Sequence, residues 1–306
     1  MTASETPRVS ENRLLMRFMW LSVAAAIVTI VLKVAAAVIT GSVGFLSDAL
    51  ESGVNLVAAI VALVALQIAS RPADANHQFG HGKAEYVSAL VEGAMIFVAS
   101  AMIIWTSIQR LLDPQPLEQP GIGLVLSITA SVVNLVVALV LIRAGKRYRS
   151  PTLSADGQHL MTDVWTTVGV IIGIAAVALT GWLWLDPLIA LAVGVNILVT
   201  GYKLLRSSLS SLLSQALPAK DMAKIEPVVA TFQTENGVTV ERIRSVESGR
   251  ERQIALLMRV PASWSVDEAT QTADRLDRAI NEALPDTQII VETRPREQAS
   301  MTPPND

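Results

Sequence analysis

The sequence predicts an α-helical membrane domain of six transmembrane helices followed by a small C-terminal α+β domain. Apolar residues make up 51% of the 306 residues, and the mean hydropathy of the chain is positive, at +0.46. The apolar residues are concentrated in six blocks, each long enough to cross the hydrocarbon of a bilayer as a helix. After about residue 210 the composition changes to alternating polar and apolar residues, which is typical of a soluble domain.

The six blocks define the predicted spans and the side of the membrane on which each loop lies. They cover about residues 18–39, 43–69, 86–112, 121–143, 158–180 and 186–205, after a polar stretch at 1–17 that is interpreted as a loose tail. Arginine and lysine are concentrated in this tail, in alternate loops and after the sixth block. By the positive-inside rule, both termini are therefore expected in the cytoplasm.

The second span carries a polar stripe. It consists of Asp48, Glu51, Ser52 and Asn55. These residues occupy positions i, i+3, i+4 and i+7, so they lie along one face of a helix. Such a stripe should face a partner helix or an aqueous cavity rather than lipid. Hydrogen bonds between helices are the simpler explanation, but the two carboxylates favour a binding site.

The loop between the second and third spans holds two of the three histidines of the chain. Asp74, His77 and His81 are spaced i, i+3 and i+7, which is adequate for a three-ligand metal site with a fourth position filled from elsewhere. A single histidine in such a loop would more often be a solvated bystander. The sequence has no cysteine, so any metal must be held by nitrogen and oxygen ligands.

The fifth span contains a histidine and a carboxylate on one face. His159 and Asp163 are four residues apart, so they lie one above the other on a helix. Such groups are costly to bury in a membrane and usually mark a pathway or a site, and their spacing suits two ligands of one divalent metal. Glu92 and Asn134, in the third and fourth spans, are interpreted as interhelical hydrogen-bonding residues and assigned to no site.

The C-terminal part is predicted as an αββαβ, ferredoxin-like domain. Residues 219–235 read as an amphipathic helix, 238–245 and 253–260 as strands joined by a turn at 249–251, 265–284 as a helix with Ser265 as N-cap, and 287–292 as a strand. The predicted domains are a cytoplasmic tail at 1–17, a transport domain at 18–210, a cytoplasmic dimerisation domain at 211–295 and a disordered tail at 296–306.

With these elements in place, the sequence from about residue 13 to residue 295 resembles the cation diffusion facilitator family. The pieces that carry the resemblance are Thr40-Gly41-Ser42-Val43, the run Pro72 to Glu85, His159-Leu160-Met161-Thr162-Asp163 and Ala216-Leu217-Pro218. The resemblance implies a homodimeric secondary antiporter, not an enzyme, in a bacterial inner membrane. It would export a divalent transition-metal cation from the cytoplasm in exchange for protons, and it would dimerise through the C-terminal domain and membrane-proximal contacts.

The resemblance also implies which residues bind metal. The transport site would consist of Glu51, Asn55, His159 and Asp163, with Asp48 as an accessory ligand, and Asp74, His77 and His81 would form a second metal site. Glu51 and Asn55 replace the His or Asp and the Asp that are usual in the family, which gives a harder ligand set. Zn²⁺ is the first expectation for the substrate, with Fe²⁺, Mn²⁺, Co²⁺ and Cd²⁺ as alternatives. His159 is expected to couple metal binding to proton release, because an imidazole titrates near neutral pH.

Two further expectations concern the soluble domain. Relatives often hold a two-metal cluster there with several histidines, and this chain has none after His159, so the domain is expected to dimerise without the cluster. Glu241 and Glu292 fall near ligand positions, but Leu257 and Arg294 replace others. Ser214 stands where many relatives have an aspartate that pairs with the lysine corresponding to Lys83, so that charge pair is expected to be missing.

Other functional classes are less favoured by the sequence. A membrane metalloprotease would need a run such as His-Glu-x-x-His, and neither that run nor a phosphate-binding or dinucleotide-binding glycine motif is present. No organic cofactor and no nucleic-acid partner is therefore expected. A membrane metal sensor or scaffold that does not transport remains as the alternative, and flux into vesicles would separate it from a transporter.

Overall fold

Eight helices and three strands follow one another along the residues that the computed structural model describes, 5–40, 43–113 and 121–296. In chain order they are α1 Glu5–Thr40, α2 Val43–Ala69, α3 Ala84–Leu112, α4 Gly121–Tyr148, α5 Pro151–Thr180, α6 Leu185–Leu212, α7 Ala219–Asn236, β1 Thr239–Ser248, β2 Glu251–Val260, α8 Val266–Ala283 and β3 Thr287–Pro295. The chain divides into two compact units, Met1–Leu212 and Leu213–Asp306. The predicted fold class, apolar helices followed by a small αββαβ unit, is confirmed. The turn at 41–42, most of the 113–121 connection and the tail from 297 lie outside the described residues.

Five helices of the first unit are long and apolar enough to cross a membrane. The qualifying segments are Glu11–Ile39, Ala84–Leu112, Gly123–Tyr148, Pro151–Val177 and Leu185–Leu212. In α2 the described apolar stretch is shorter, Asn55–Ala69. The side chains of most residues before Asn55 in α2 lie outside the described part of the chain.

The prediction that residues 1–17 form a loose tail is wrong for residues 5–17, which belong to α1. Leu15 and Met19 are completely buried and pack in one apolar cluster with Leu153 and Leu160 of α5. The first part of this helix was missed because it is polar, and hydropathy marks only the part of a helix that lies in hydrocarbon. Pro7 falls in the first turn, where its missing N–H has no acceptor to lose.

The helix α5 also begins earlier than predicted, at Pro151 rather than near residue 158. The Ser150 side chain caps it by accepting a hydrogen bond from Leu153 N at 3.4 Å, and proline at the first helical position is pre-organised for a helix. Ser150 Oγ also donates to Glu85, which joins the first turn of α3 to the first turn of α5. His159 is thus the ninth residue of α5, about 12 Å from its start at 1.5 Å per residue.

The six helices of the first unit pack as a group of four and a pair. The buried apolar cluster is built from α1, α2, α4 and α5, whereas α3 packs chiefly on α6 and to a lesser extent on α5. Glycines allow α3 and α6 to approach closely: a Cβ on Gly201 would lie 2.9 Å from Phe97 N, and one on Gly93 would lie 3.1 Å from Leu205 N. The α3–α6 pair is therefore in contact backbone to backbone.

The second unit is a three-stranded sheet with α7 and α8. The strand order is β1-β2-β3, with β1 antiparallel and β3 parallel to β2, as a hairpin followed by a helical crossover requires. Its core is a cluster of apolar residues from both helices and the sheet, among them Ile225, Val229, Ile254, Met258, Leu276 and Ile280. Ser265 and Glu268 form a complete capping box at the start of α8, so the predicted N-cap is confirmed.

The residues that the sequence placed near a cytoplasmic metal cluster lie in one row across the sheet. Glu241 is opposite Leu257, and Leu257 is opposite Glu292. Glu241 Oε2 accepts from Arg259 Nε at 3.0 Å, and Glu292 Oε1 accepts from the Arg294 guanidinium at 2.5 Å. Each of these two carboxylates is therefore held by an arginine of its own unit. The expectation of a domain without a metal cluster stays a prediction.

Candidate functional site

Three of the residues assigned to the transport site meet inside the first unit. Asn55 comes from the middle of α2, and His159 and Asp163 come from successive turns of α5; all three are more than nine-tenths buried. Asn55 Nδ2 donates to Asp163 Oδ2 at 2.5 Å, and Asn55 Oδ1 lies 2.8 Å from His159 Nε2. The amide therefore joins the imidazole to the carboxylate.

The chemistry of the three groups fixes the direction of these hydrogen bonds. A carboxylate can only accept, so the amide nitrogen of Asn55 must face Asp163 and the amide oxygen must face His159. An amide oxygen can only accept as well, so the proton between His159 and Asn55 is on Nε2. The opposite ring nitrogen, Nδ1, is buried and has no hydrogen-bond partner among the described residues.

A fourth residue belongs to this network. Asn134 of α4 donates from Nδ2 to the same oxygen of Asp163, at 3.2 Å, and is itself buried. From the sequence, Asn134 was predicted to hydrogen-bond between helices, and it does so. Its connection with the site was not predicted. A single amide within an apolar span was the available signal, and its spacing could not show which helix it faces.

Two of the other three residues of the predicted stripe are the acids Asp48 and Glu51, and the third, Ser52, is buried. The side chains of Asp48 and Glu51 lie outside the described part of the chain. Both residues belong to α2, and Glu51 precedes Asn55 by one turn of that helix. Their assignment as ligands stays a prediction.

The loop residues Asp74, His77 and His81 lie together in the structure, and their potential ligand atoms are all within 4.8 Å of one another. His77 Nδ1 is 3.3 Å from Asp74 Oδ1, and His81 Nε2 is 3.3 Å from Asp74 Oδ2. Metal–ligand bonds of about 2.0–2.1 Å at tetrahedral angles place ligand atoms about 3.3–3.4 Å apart. Each histidine nitrogen is thus separated from one Asp74 oxygen by the distance between two ligands of a zinc-sized ion.

The backbone of the loop holds the Asp74 carboxylate in place. Its Oδ1 accepts from the backbone N–H groups of Asn76 and His77, at 2.9 and 2.7 Å. The hydrogen bond from the His77 N–H, together with smaller contributions from Asn76 and the histidine side chains, holds the pKa of Asp74 below its usual value. Asp74 is therefore an ionised carboxylate on a pre-ordered turn, and Gly80, with a φ of 80°, allows the chain to return toward α3.

The two sites differ in how ready they are for a cation. In the loop, the ligand atoms are spaced for metal coordination. In the buried network, Asn55 Oδ1 and His159 Nε2 are about 0.5 Å closer than two ligands of one tetrahedral ion, and a proton lies between them. A cation can be bound by His159 Nε2 and Asn55 Oδ1 together only if this hydrogen bond opens and the proton on Nε2 leaves.

Lys83, at the start of α3, donates to the carbonyl of Leu212 at 3.5 Å. Ser214 has a positive φ of 64° and lies in the second unit. The expected loss of a charge pair at these two positions stays a prediction.

Comparison with known proteins accounts for both units. The model of the cation efflux transmembrane domain matches residues 19–213, and that of the cation efflux protein cytoplasmic domain matches residues 217–296. An uncharacterized transporter of Synechocystis is 46% identical over 277 residues, which is 90% of this chain and 89% of the relative. The cation-efflux pumps FieF of Escherichia fergusonii and Escherichia coli are 29% identical over 286 residues, or 94% of each chain.

Proposed function

Because the chain belongs to the cation diffusion facilitator family of metal cation efflux transporters, we propose that it exchanges a divalent transition-metal cation for protons. It is a membrane-embedded protein that forms homodimers. The proposed transport site consists of Glu51, Asn55, His159 and Asp163, and Asn134 positions Asp163. The observation that carries this proposal is the buried chain of hydrogen bonds from His159 through Asn55 to Asp163.

The network supports a direct coupling between metal and proton. His159 Nε2 is a metal ligand only when it carries no proton, and without the cation that proton is held by Asn55 Oδ1. In the proposed exchange, cation-free His159 is an imidazolium with a proton on each ring nitrogen. When a dication approaches, the Nε2 proton leaves to the aqueous side to which the site is open, the Nδ1 proton stays, and Asn55 Oδ1 turns its lone pair toward the cation. When the cation leaves, Nε2 takes up a proton again and the hydrogen bond to Asn55 re-forms. Alternate exposure of the site to the two sides of the membrane would then link the two movements.

The second hydrogen bond of Asn55 keeps Asp163 available during this exchange. Asp163 Oδ2 accepts from two amides, Asn55 and Asn134, on two different helices. These bonds favour the ionised carboxylate in a site from which water is largely excluded. If Asn55 turns toward the cation, Asn134 still holds the carboxylate, so Asp163 can contribute its charge to the dication.

The ligand types favour cations that accept oxygen ligands. An amide oxygen and carboxylates beside one imidazole form a harder set than a histidine-rich zinc site. We propose Zn²⁺ as the first substrate to test, because it is the first expectation from the family, and Fe²⁺, Mn²⁺, Co²⁺ and Cd²⁺ as the competitors. Of these, Fe²⁺, Mn²⁺ and Co²⁺ suit the harder set better. The loop residues Asp74, His77 and His81 are proposed as a second metal site that stays outside the transport route.

The remaining proposals concern organisation in the cell. We place the protein in a bacterial inner membrane with both termini in the cytoplasm, because positive residues are concentrated in alternate loops. The proposed transport domain covers residues 18–210 and the proposed dimerisation domain covers 211–295, with further dimer contacts close to the membrane.

The test is flux in liposomes that contain the purified full-length protein and a pH-sensitive dye. A metal gradient should drive proton movement in the opposite direction, and Asp163→Ala should abolish it. Asp274→Ala, which removes an exposed carboxylate from α8, is the matched control and should keep the flux. Unchanged flux in Asp163→Ala would remove this network from the mechanism, and a wild-type protein that binds metal without flux would favour the sensor or scaffold.

A further inference from the structure

Two buried carboxyl groups take no part in the network of His159, Asn55 and Asp163. Glu92 lies on α3 and Asp156 on α5, and they are 0% and 1% exposed. Glu92 Oε1 accepts from Ser88 Oγ at 3.1 Å. Glu92 Oε2 and Asp156 Oδ2 have no hydrogen-bond partner in the described part of the chain.

The two carboxyl groups belong to one cluster. Helix α3 packs against α5, and Glu92 and Asp156 interact electrostatically across that interface. Asp156 interacts in the same way with His159, which lies one turn further along α5 and whose Nδ1 is buried without a partner. Ser22 of α1 is completely buried and lies beside Asp156, so its hydroxyl oxygen faces the same cluster. Helices α1, α3 and α5 thus each contribute buried polar side chains to this interacting group.

This arrangement is costly unless a positive charge is shared there. An uncompensated carboxylate inside a membrane bundle is costly, and a second one that interacts with it adds repulsion. Hydrogen bonds normally offset this cost, yet one oxygen of each acid is left without any. A cation between the two acids would satisfy both free oxygens at once.

The cluster lies between the helix starts and the transport network. Ser150 at the start of α5 is bonded to Glu85 in the first turn of α3, so these two helices begin side by side. At 1.5 Å per residue, Asp156 and Glu92 are about 8 and 12 Å along their helices, whereas Asp163 is about 18 Å along α5. A cation that entered from this end would reach the two acids before it reached Asp163.

We propose that Glu92 and Asp156 form a second binding subsite for the divalent cation substrate, closer than Asp163 to the starts of α3 and α5 and so on the way to the transport site. This subsite rests on the proposed transport function for its role but not for its existence, because binding can be measured without transport. Carboxylate and hydroxyl oxygens are hard ligands that suit a partly hydrated ion such as Mn²⁺. The cation would bind here with water still attached and lose it when His159 and Asp163 replace that water.

The experiment measures Mn²⁺ binding to the full-length dimer in detergent, by the electron paramagnetic resonance signal of free Mn²⁺. The starting protein carries Asp163→Asn and His81→Ala, which disable the transport site and the loop site. We expect it to bind one Mn²⁺ per protomer. Addition of Glu92→Gln or Asp156→Asn should weaken this binding at least tenfold, whereas Glu226→Gln, the same change at an exposed position on α7, should leave it unchanged.

Each outcome decides the proposal. It is overturned if the starting protein binds no Mn²⁺, because the two acids would then be held as neutral, protonated groups. It is also overturned if binding persists in both Glu92→Gln and Asp156→Asn, because the ion would then be bound elsewhere. Size-exclusion profiles and melting temperatures identify a variant that does not fold, in which case the other variant decides. Flux by the protein without these substitutions is measured in parallel. If that protein transports but the starting protein binds no Mn²⁺, only the subsite is refuted. If the starting protein binds Mn²⁺ but the protein without substitutions does not transport, only the transport proposal is refuted.

Discussion

Replacement of Asn55 by aspartate tests the central bridge of the site, because it keeps the shape of the side chain and removes only its donor. An aspartate at this position could still accept from His159 Nε2 but could no longer donate to Asp163, whose oxygen lies 2.5 Å away. Without a cation, two carboxylates would then face each other in a buried site. We expect Asn55→Asp to destabilise the cation-free protein and to strengthen dication binding.

The magnitude follows from the contact that is lost and the repulsion that replaces it. A hydrogen bond to a charged acceptor contributes about 1.5–3 kcal/mol, and two charges about 4 Å apart repel by about 4 kcal/mol at an effective dielectric constant near 20. Sharing of a proton between the acids relieves part of this, so we expect a net cost of about 2–4 kcal/mol without metal. Since a dication removes the repulsion, and tenfold in affinity corresponds to about 1.4 kcal/mol, the dissociation constant should fall about 30- to 700-fold.

The measurement uses competition with a chelating dye at pH 8, for Zn²⁺ and Mn²⁺, on full-length protein with His81→Ala to disable the loop site. The melting temperature in the presence of a chelator should fall by a few degrees. Asn236→Asp is the matched control: Asn236 donates to Phe232 O at 3.0 Å at the end of α7, outside the membrane domain. An unchanged or weaker metal affinity in Asn55→Asp, or a higher melting temperature without metal, would refute the role assigned to the amide bridge.

Two further predictions concern the loop and the packing of α3 on α6. Asp74→Ala should remove one bound metal ion per protomer at pH 7. The reason is that Asp74 lies 3.3 Å from ring nitrogens of both histidines and its lowered pKa keeps it ionised. Equilibrium dialysis that still finds the full stoichiometry would contradict the loop site. Gly201→Ala should lower the melting temperature and the yield of folded protein, because the added Cβ would lie 2.9 Å from Phe97 N. The control Gly53→Ala should be tolerated, because its Cβ would meet only a side-chain carbon of Ile30 at 3.7 Å. Equal melting temperatures for the two alanine variants would show that α3 and α6 can separate without cost.

The elements that could be predicted are those whose signals are local. Alternation of polar and apolar residues marked β1 and β2, and Ser265 marked the start of α8, because a cap acts on the N–H groups of its own first turn. The pairing of His159 with Asp163 also followed from spacing on one helix. The start of α1 was missed because Glu11 and the arginines around it look like a tail, although the helix that carries them packs at Leu15 against α5.

The contacts that could not be predicted are those between helices. Asn134 is 29 residues from Asp163 in the chain, and nothing in the spacing of α4 shows that the amide faces that carboxylate. The meeting of Glu92 with Asp156 depends in the same way on how α3 lies on α5. Side chains of this kind can be recognised in a sequence as unusual for a membrane span, but their partners follow only from the packing of whole helices.

The glycine contacts of α3 with α6 have a consequence for how the protein can change shape. At Gly93 and Gly201 the two backbones are in direct contact, without side chains between them. Rotamer changes therefore cannot allow one helix to slide over the other at these positions. The two helices should therefore turn together as one rigid body. Glu92 travels with that body and Asp156 with the other four helices, so any rotation between the two groups changes the width of the gap between these acids. The same motion that opens or closes the protein would thus set the affinity with which the two acids bind a cation.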